Sequence, residues 1–257
     1  MFSLKERRVE ILKKLAQKGS LHVHEVANEF GVSEITIRRD LIYLEKMGKV
    51  ERGHGWVYPS NLNKFEHSFE ERAKDKIQQK IVIAKEAKKL LKPGFVVFLD
   101  AGTTTLELAK TLEDINFELL IITNSLIIFN TVSRFSRIKN YLIGGELDEI
   151  NFSLVGMIAS RCIEQFYADI AFLGASAIDP EKGIFTVDTL GAETSRMMAK
   201  NSRMIVILAD SSKFLKSFPI NVIPMEDIDT IITDVGVAER VSKKIKSKGV
   251  DLKCVQV

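Results

Sequence analysis

Cysteine, proline and tryptophan are scarce: two, five and one in 257 residues. Cys162 and Cys254 stand far apart with no CxxC partner, which excludes a disulfide framework and a cysteine zinc site. Both read as free thiols, small buried side chains of a reducing, cytoplasmic compartment. No apolar run approaches the ~20 residues that a membrane-spanning helix needs. Residues 1–15 alternate charged and apolar side chains and lack a signal-peptide core. Neither GxxxxGK[ST] nor GxGxxG occurs, so a P-loop and a dinucleotide fingerprint are absent. A large charge imbalance is missing too, the formal net charge being only +3. That small excess is concentrated: residues 1–58 hold eleven Lys/Arg against eight Asp/Glu, and the remaining residues hold 26 of each. Phosphate binding needs local rather than global positive charge. With 46% hydrophobic residues, the chain can build one large domain or two unequal ones.

The first sixty residues read as a helix-turn-helix followed by a hairpin. Residues 4–17 carry Leu4, Val9, Ile11, Leu12 and Leu15 near helical spacing and end at Gly19. A short helix over 23–30 has Val26, Ala27 and Phe30 on one side. Gly31 suits the left-handed turn that follows, and Ser33 suits the N-cap of a third helix over 34–47. At about 100° per residue, Ile37, Leu41 and Leu44 share the stripe that packs inward. Thr36, Arg39 and Tyr43 point away from it, with Arg38 on a flank. Arg39 suits a guanine edge and Arg38 a phosphate, the two roles being interchangeable on the sequence. Residues 49–52 and 56–58 read as wing strands joined by Gly53-His54-Gly55, from which Arg52 and His54 reach toward a DNA backbone. An isolated helix with this face would be read as merely solvated. The three helices, turn and hairpin in order favour duplex DNA as the partner. His22 and His24 read as ordinary surface residues.

The run from Val32 through Leu41, with Glu45, Gly48, Arg52, His54 and Gly55 after it, resembles the signature of the DeoR family of bacterial sugar-metabolism regulators. Trp56 stands where the family has a second wing glycine, a departure that touches the wing tip. Residues 59–64 are polar, begin with Pro59 and read as a boundary. The expected division is a winged helix-turn-helix over 1–58, a linker over 59–76 and an α/β domain over 77–257. A Lys-rich helical stretch runs from Phe69 to about Leu91, its lysines read as solvated. The opening Phe69-x-x-Arg72 resembles the family's linker segment.

From Phe95 onward, short apolar strands end in small or polar residues, with helices between them. The strand ends are Asp100-Ala101-Gly102-Thr103-Thr104-Thr105, Asn124-Ser125, Gly144-Gly145, Gly174-Ala175-Ser176, Asp210-Ser211-Ser212-Lys213 and Asp234. This pattern predicts an α/β fold with a largely parallel sheet covered on both faces, its ligand site beyond the C-terminal strand ends. Gly102 allows close backbone approach, and the hydroxyls and helix N-terminus near Thr105 offer donors to an anion. Asp100, Gly102, Thr103, Thr104, Thr105, Asn124, Ser125, Gly144, Gly145, Gly174, Ala175, Asp210, Ser211 and Lys213 are therefore the candidate effector site. Any one such loop is equally a cap or turn, and Lys213 alone is equally a surface lysine. Six loops of one kind at one edge favour a site for a phosphate monoester.

These loops also resemble the DeoR sensor domain. The resemblance implies a fold similar to ribose-5-phosphate isomerase, a phosphorylated sugar effector and operator-bound repression by a homodimer or homotetramer. Asp148 stands where many members have Arg, so the effector's grip differs here. Two other readings remain: an isomerase fused to a DNA-binding module, and an α/β domain used only for oligomerisation. The isomerase needs a carboxylate base, yet residues 173–178 contain none, and nothing places Glu193 or Asp188 in that role. No catalytic residue, metal or cofactor is assigned.

Overall fold

The computed structural model describes residues 4–18, 20–47, 49–53, 55–59, 69–215 and 218–257. The chain divides into two units, Met1–His67 and Ser68–Val257.

The first unit comprises α1 (Leu4–Lys18), β1 (Leu21–His22), α2 (Val23–Phe30), α3 (Glu34–Lys46), β2 (Val50–Gly53) and β3 (Trp56–Pro59). Its core gathers Ile11 and Leu15 of α1, Val26, Ala27 and Phe30 of α2, and Ile37, Leu41 and Leu44 of α3. These are the stripes expected from helical spacing, except that Leu4 and Val9 lie exposed. Gly31 closes α2 with φ 64°, and the Ser33 hydroxyl caps α3 by accepting from the Thr36 N–H at 3.2 Å. The wing pairs β2 with β3 in antiparallel register, Arg52 opposite Val57. A two-residue strand, β1, adds to the other edge of β3, too short to announce itself by alternation.

The second unit opens with α4 (Phe69–Lys74) and α5 (Ile77–Lys88). The single helix expected over 69–91 is broken at Lys76, whose backbone takes φ 52°. Residues 69–74, read as linker, are thus a helix of this unit. Its central sheet comprises β4 (Val96–Leu99), β5 (Leu119–Thr123), β6 (Ile138–Leu142), β9 (Ile170–Gly174), β12 (Ile205–Leu208), β14 (Thr230–Asp234) and β15 (Asp251–Val255). The order is β15-β14-β12-β9-β4-β5-β6, and every neighbouring pair is parallel. Helices α6 (Thr103–Lys110) and α7 (Leu126–Val132) join α5 on one face; α8 (Met157–Ile163), α9 (Thr189–Lys200) and α10 (Glu239–Ser247) cover the other. Because both faces are covered, strands bury both side-chain sets: Val97 and Leu99 pack toward α5, Phe98 toward α8 and α9. A hairpin of β7 (Glu146–Asp148) and β8 (Ser153–Val155) lies apart from this sheet. A third sheet joins β10 (Ala177–Asp179), β11 (Gly183–Thr186) and β13 (Ile220–Ile223). The sequence reading had neither, nor the edge strand β15. No helix among the described residues is long and apolar enough to cross a membrane.

Candidate functional site

In the first unit, α3 turns its polar face outward. Arg38, Arg39 and Tyr43 are exposed, and Thr36 is half-buried. The Ser33 and Thr36 hydroxyls hydrogen-bond each other at 2.9 Å, so both act first as a cap. Arg38 donates to Glu34 at 3.4 Å, and Glu34 also meets Nδ1 of His24 at 2.8 Å. Arg52 donates through Nε to Glu45 at 2.8 Å, tying the wing to α3. Arg39 has no hydrogen-bond or ion-pair partner among the described residues, and it stands in the middle of the outward face. His54 lies outside the described residues. Two features of α3, one on this face and one on the buried side, escaped the sequence reading. Ile35, 72% exposed one turn before Arg39, is a large apolar side chain of the kind that meets a thymine methyl. Asp40, 1% exposed, holds Nε of Arg7 at 2.6 Å and Nε of Arg8 at 2.9 Å.

In the second unit the chain leaves β4 through β5 to β6, then returns to β4's other side for β9, β12, β14 and β15. The reversal lies between β4 and β9, where a doubly wound sheet opens a crevice at its carboxyl edge. Asp100 bridges that point. Its Oδ2 accepts from the Gly174 N–H at 2.7 Å and its Oδ1 from the Gly102 N–H at 3.1 Å. A Cβ on Gly102 would come within 2.9 Å of the Thr105 Oγ1 and 3.1 Å of the Asp100 Oδ1, so the close approach requires glycine. Burial raises the Asp100 carboxyl to about 6 against the lowering effect of the Gly174, Thr105 and Gly102 donors and of Arg72. Thr105, expected to offer a donor outward, is fully buried, and its single hydroxyl proton faces inward, with the Asp100 carbonyl at 2.9 Å and the Gly102 carbonyl at 2.7 Å as its acceptors. Thr103 and Thr104 keep hydroxyls with no hydrogen-bond partner among the described residues. At the next strand end Ser125 caps α7 through the Ile128 N–H at 3.2 Å. The Asn124 Oδ1 is buried without a partner among the described residues.

Two cations, Lys80 and Lys213, meet on the β12 side, and Arg72 approaches from the β7–β8 turn. Lys213 lies 4.0 Å from Asp210. Lys80 of α5 is buried rather than solvated, and donates to the carbonyls of Arg72 and of Asp75, the latter at 2.6 Å. Burial and the nearby Lys213 charge lower its pKa to about 8, Asp210 and Asp75 opposing them and Arg72 adding to the lowering. Arg72 of α4 donates to Asn151 and lies within electrostatic reach of Asp100 and Asp188. Asp234 holds Ser211 by its N–H at 2.7 Å and its hydroxyl at 2.8 Å. Asp188 caps α9 through the Gly191 N–H at 3.0 Å, and burial raises its pKa. Glu193 is exposed. Gly144 and Gly145 join β6 to β7; a Cβ on Gly145 would fall 2.6 Å from the Val155 carbonyl oxygen, a packing demand. Ala175 packs half-buried against the core. Arg72 and Lys80 are the members of this cluster that the sequence reading missed. The signal for Lys80 is its position on the stripe of Ile83, Ala84, Ala87 and Leu91.

Two family models match: the DeoR-like helix-turn-helix domain over residues 7–58 and the DeoR C terminal sensor domain over 75–235. The transcriptional repressor AccR of Agrobacterium fabrum is 32% identical over 96% of this chain and 96% of its own. The HTH-type transcriptional regulator GolR of Listeria innocua is 30% identical over 98% of each chain. Among solved structures, ribose 5-phosphate isomerase A of Methanocaldococcus jannaschii is similar at TM-score 0.39, with 20% identity over 52% of each chain.

Proposed function

Because the chain belongs to the DeoR family of DNA-binding transcription regulators, we propose that its second unit senses a phosphorylated sugar or related metabolite whose binding releases the first unit from operator DNA. The chain is a regulator and not an enzyme. The observation that carries the sensing role is the cationic cluster: Lys80 is buried with its pKa lowered to about 8, within reach of Arg72 and Lys213, at the carboxyl edge of the sheet. Burying a lysine beside two further cations is unfavourable in isolation. A phosphate dianion placed among them offsets that cost, and the adjacent Thr103 and Thr104 hydroxyls and the α6 N-terminus supply neutral donors.

Two copies of the chain place two copies of α3 in successive major grooves, as a homodimer or a tetramer built from it. The unliganded state fits that spacing and represses. The liganded state does not, and only a ligand that prefers this second state shifts the balance. The operator belongs to a carbohydrate-metabolism operon. The test is fluorescence anisotropy of a duplex selected by the full-length protein from a random-sequence library, titrated with a panel of sugar phosphates and their unphosphorylated parents. Release by one or more phosphorylated members is expected. Release by none, or equal release by a parent sugar, overturns the reading.

A further inference from the structure

We propose that Arg8 is a DNA contact: a guanidinium that α1 delivers to the flank of α3, aimed by Asp40 and Tyr43, to hold a backbone phosphate. Three observations carry this. The Arg8 guanidinium carbon lies over the Tyr43 ring, 3.7 Å from its centroid, and Tyr43 belongs to the exposed face of α3. Arg8 therefore stands on the face that carries Arg39, one helical turn away. Nε of Arg8 donates inward to Asp40 at 2.9 Å, which fixes the fork and leaves the four N–H bonds of its terminal nitrogens on the other side. Those nitrogens have no hydrogen-bond partner among the described residues. Finally, the joint carries two guanidinia against one carboxylate, so it keeps a positive charge. Of the two, Arg8 is the more open, its side chain 19% exposed against 10% for Arg7.

A phosphate, rather than a base edge, is the group this position meets. Tyr43 lies two turns beyond Thr36. In a helix-turn-helix the N-terminal part of the recognition helix reads bases, while the preceding helices cross the backbone. A planar guanidinium held against an aromatic ring, with its Nε edge taken by Asp40, presents a fork suited to two phosphate oxygens. Asp40 is then a positioning residue, acting on DNA only through Arg8.

The test uses the full-length protein, the selected duplex and an unrelated duplex of equal length, with affinity followed from about 50 to about 200 mM salt. Arg8→Gln is expected to flatten the slope of log K against log salt by about 0.9. Its affinity falls by the same factor on both duplexes, on the order of tenfold. Arg8→Lys, which gives up the Nε bond and keeps the charge, is expected to retain the wild-type slope. An unchanged slope in Arg8→Gln overturns the proposal, whatever its melting temperature does, because a brace internal to the protein releases no counterions. Should Arg8→Gln fail to fold, duplexes bearing single uncharged methylphosphonate linkages are compared between the wild type and Arg8→Met, which keeps an apolar stem against Tyr43 and removes the charge. One linkage per half-site should change its effect between the two proteins, and none changing overturns the proposal equally.

Discussion

Lys80 gives the proposed effector site a titration signature. Its pKa of about 8 leaves it about half charged near pH 8 in the empty site. A phosphate dianion among Lys80, Arg72 and Lys213 removes the cause of the shift and returns the group toward its ordinary 10.5. Binding must then draw a proton from solvent. The uptake from this group is about a tenth of a proton near pH 7, about half near pH 8 and about nine tenths near pH 9. Asp100, at about 6, is almost wholly ionised across the upper part of that window and does not blur it. The linked sign follows. The Lys80 contribution to anion affinity is at full strength well below pH 8 and falls by up to about tenfold per unit as pH rises through and beyond it. The assay is titration calorimetry of ribose 5-phosphate in buffers of different ionisation enthalpy, at each pH, with wild type and Lys80→Met. Uptake that rises with pH in the wild type and vanishes in the variant is expected. Tight binding with flat uptake, or the same uptake in Lys80→Met, would refute the placement of the anion at Lys80.

Four further outcomes follow from the geometry. Arg39→Ala should cost about 1–3 kcal/mol of discrimination between selected and unrelated duplex, and an unchanged ratio of the two dissociation constants would count against Arg39 as a base reader. Asp40→Ala strips the partner from Arg7 and Arg8. Breaking such a buried arrangement costs about 3–5 kcal/mol, comparable to what a core of this size supplies, so calorimetry should lose the first unit's transition and keep the second's. Gly102→Val drives a side chain into the Thr105 hydroxyl and the Asp100 carboxylate; effector response should disappear while operator binding persists, and an intact response would remove this loop from the site. The Asp100 carboxyl lies at about 6 against an ordinary 3.8, so its stabilising share is complete below 3.8 and lost as pH rises through 6, up to about 3 kcal/mol. Denaturant midpoints of Asp100→Asn should lack that slope, and parallel pH profiles would refute the assignment.

Regular elements with one buried stripe were legible in the sequence, and charges placed on such stripes were not. Ile37, Leu41 and Leu44 announce α3 by spacing alone, and Gly31 and Ser33 fix its start. Asp40 sits on the same stripe, one residue before Leu41, and is buried because α1 supplies two arginines from more than thirty residues away. Lys80 repeats the case on α5, its burial offset only in part by carbonyls that the break at Lys76 leaves open at the end of α4. Periodicity treats a charged residue as solvated, and only the tertiary partner overrules it. The parallel sheet was readable because strands buried on both faces leave continuous apolar runs. Strands β7, β8, β10 and β11 were not, since three or four residues hold too little pattern. The loops at the carboxyl edge were legible as a set. The division of labour within them, with Thr105 and Ser125 facing inward, depends on hydrogen bonds that spacing does not encode.

That division bears on the charge of the effector. The carboxylates at the carboxyl edge are occupied by donors of their own chain. Asp100 accepts from Gly174, Gly102 and Thr105, Asp234 from Ser211 and Gly236, Asp210 from Ser212, and Asp148 from Ile150 and Asn151. Asp100 and Asp234 tie one strand end to a neighbouring loop, whereas Asp210 and Asp148 brace their own turns. The cations are also engaged, Arg72 with Asn151, Lys80 with two backbone carbonyls and Lys213 beside Asp210, yet they lie close enough to repel one another. Arg72, Lys80 and Lys213 come from two helices and a turn at separate points of the chain, and mutual repulsion contributes to the lowered Lys80 pKa. Repulsion held in place by the fold is the arrangement an anion relieves. The negative charge proposed for the effector thus rests on this repulsion, and Asp148, bonded to its own turn, does not reverse it.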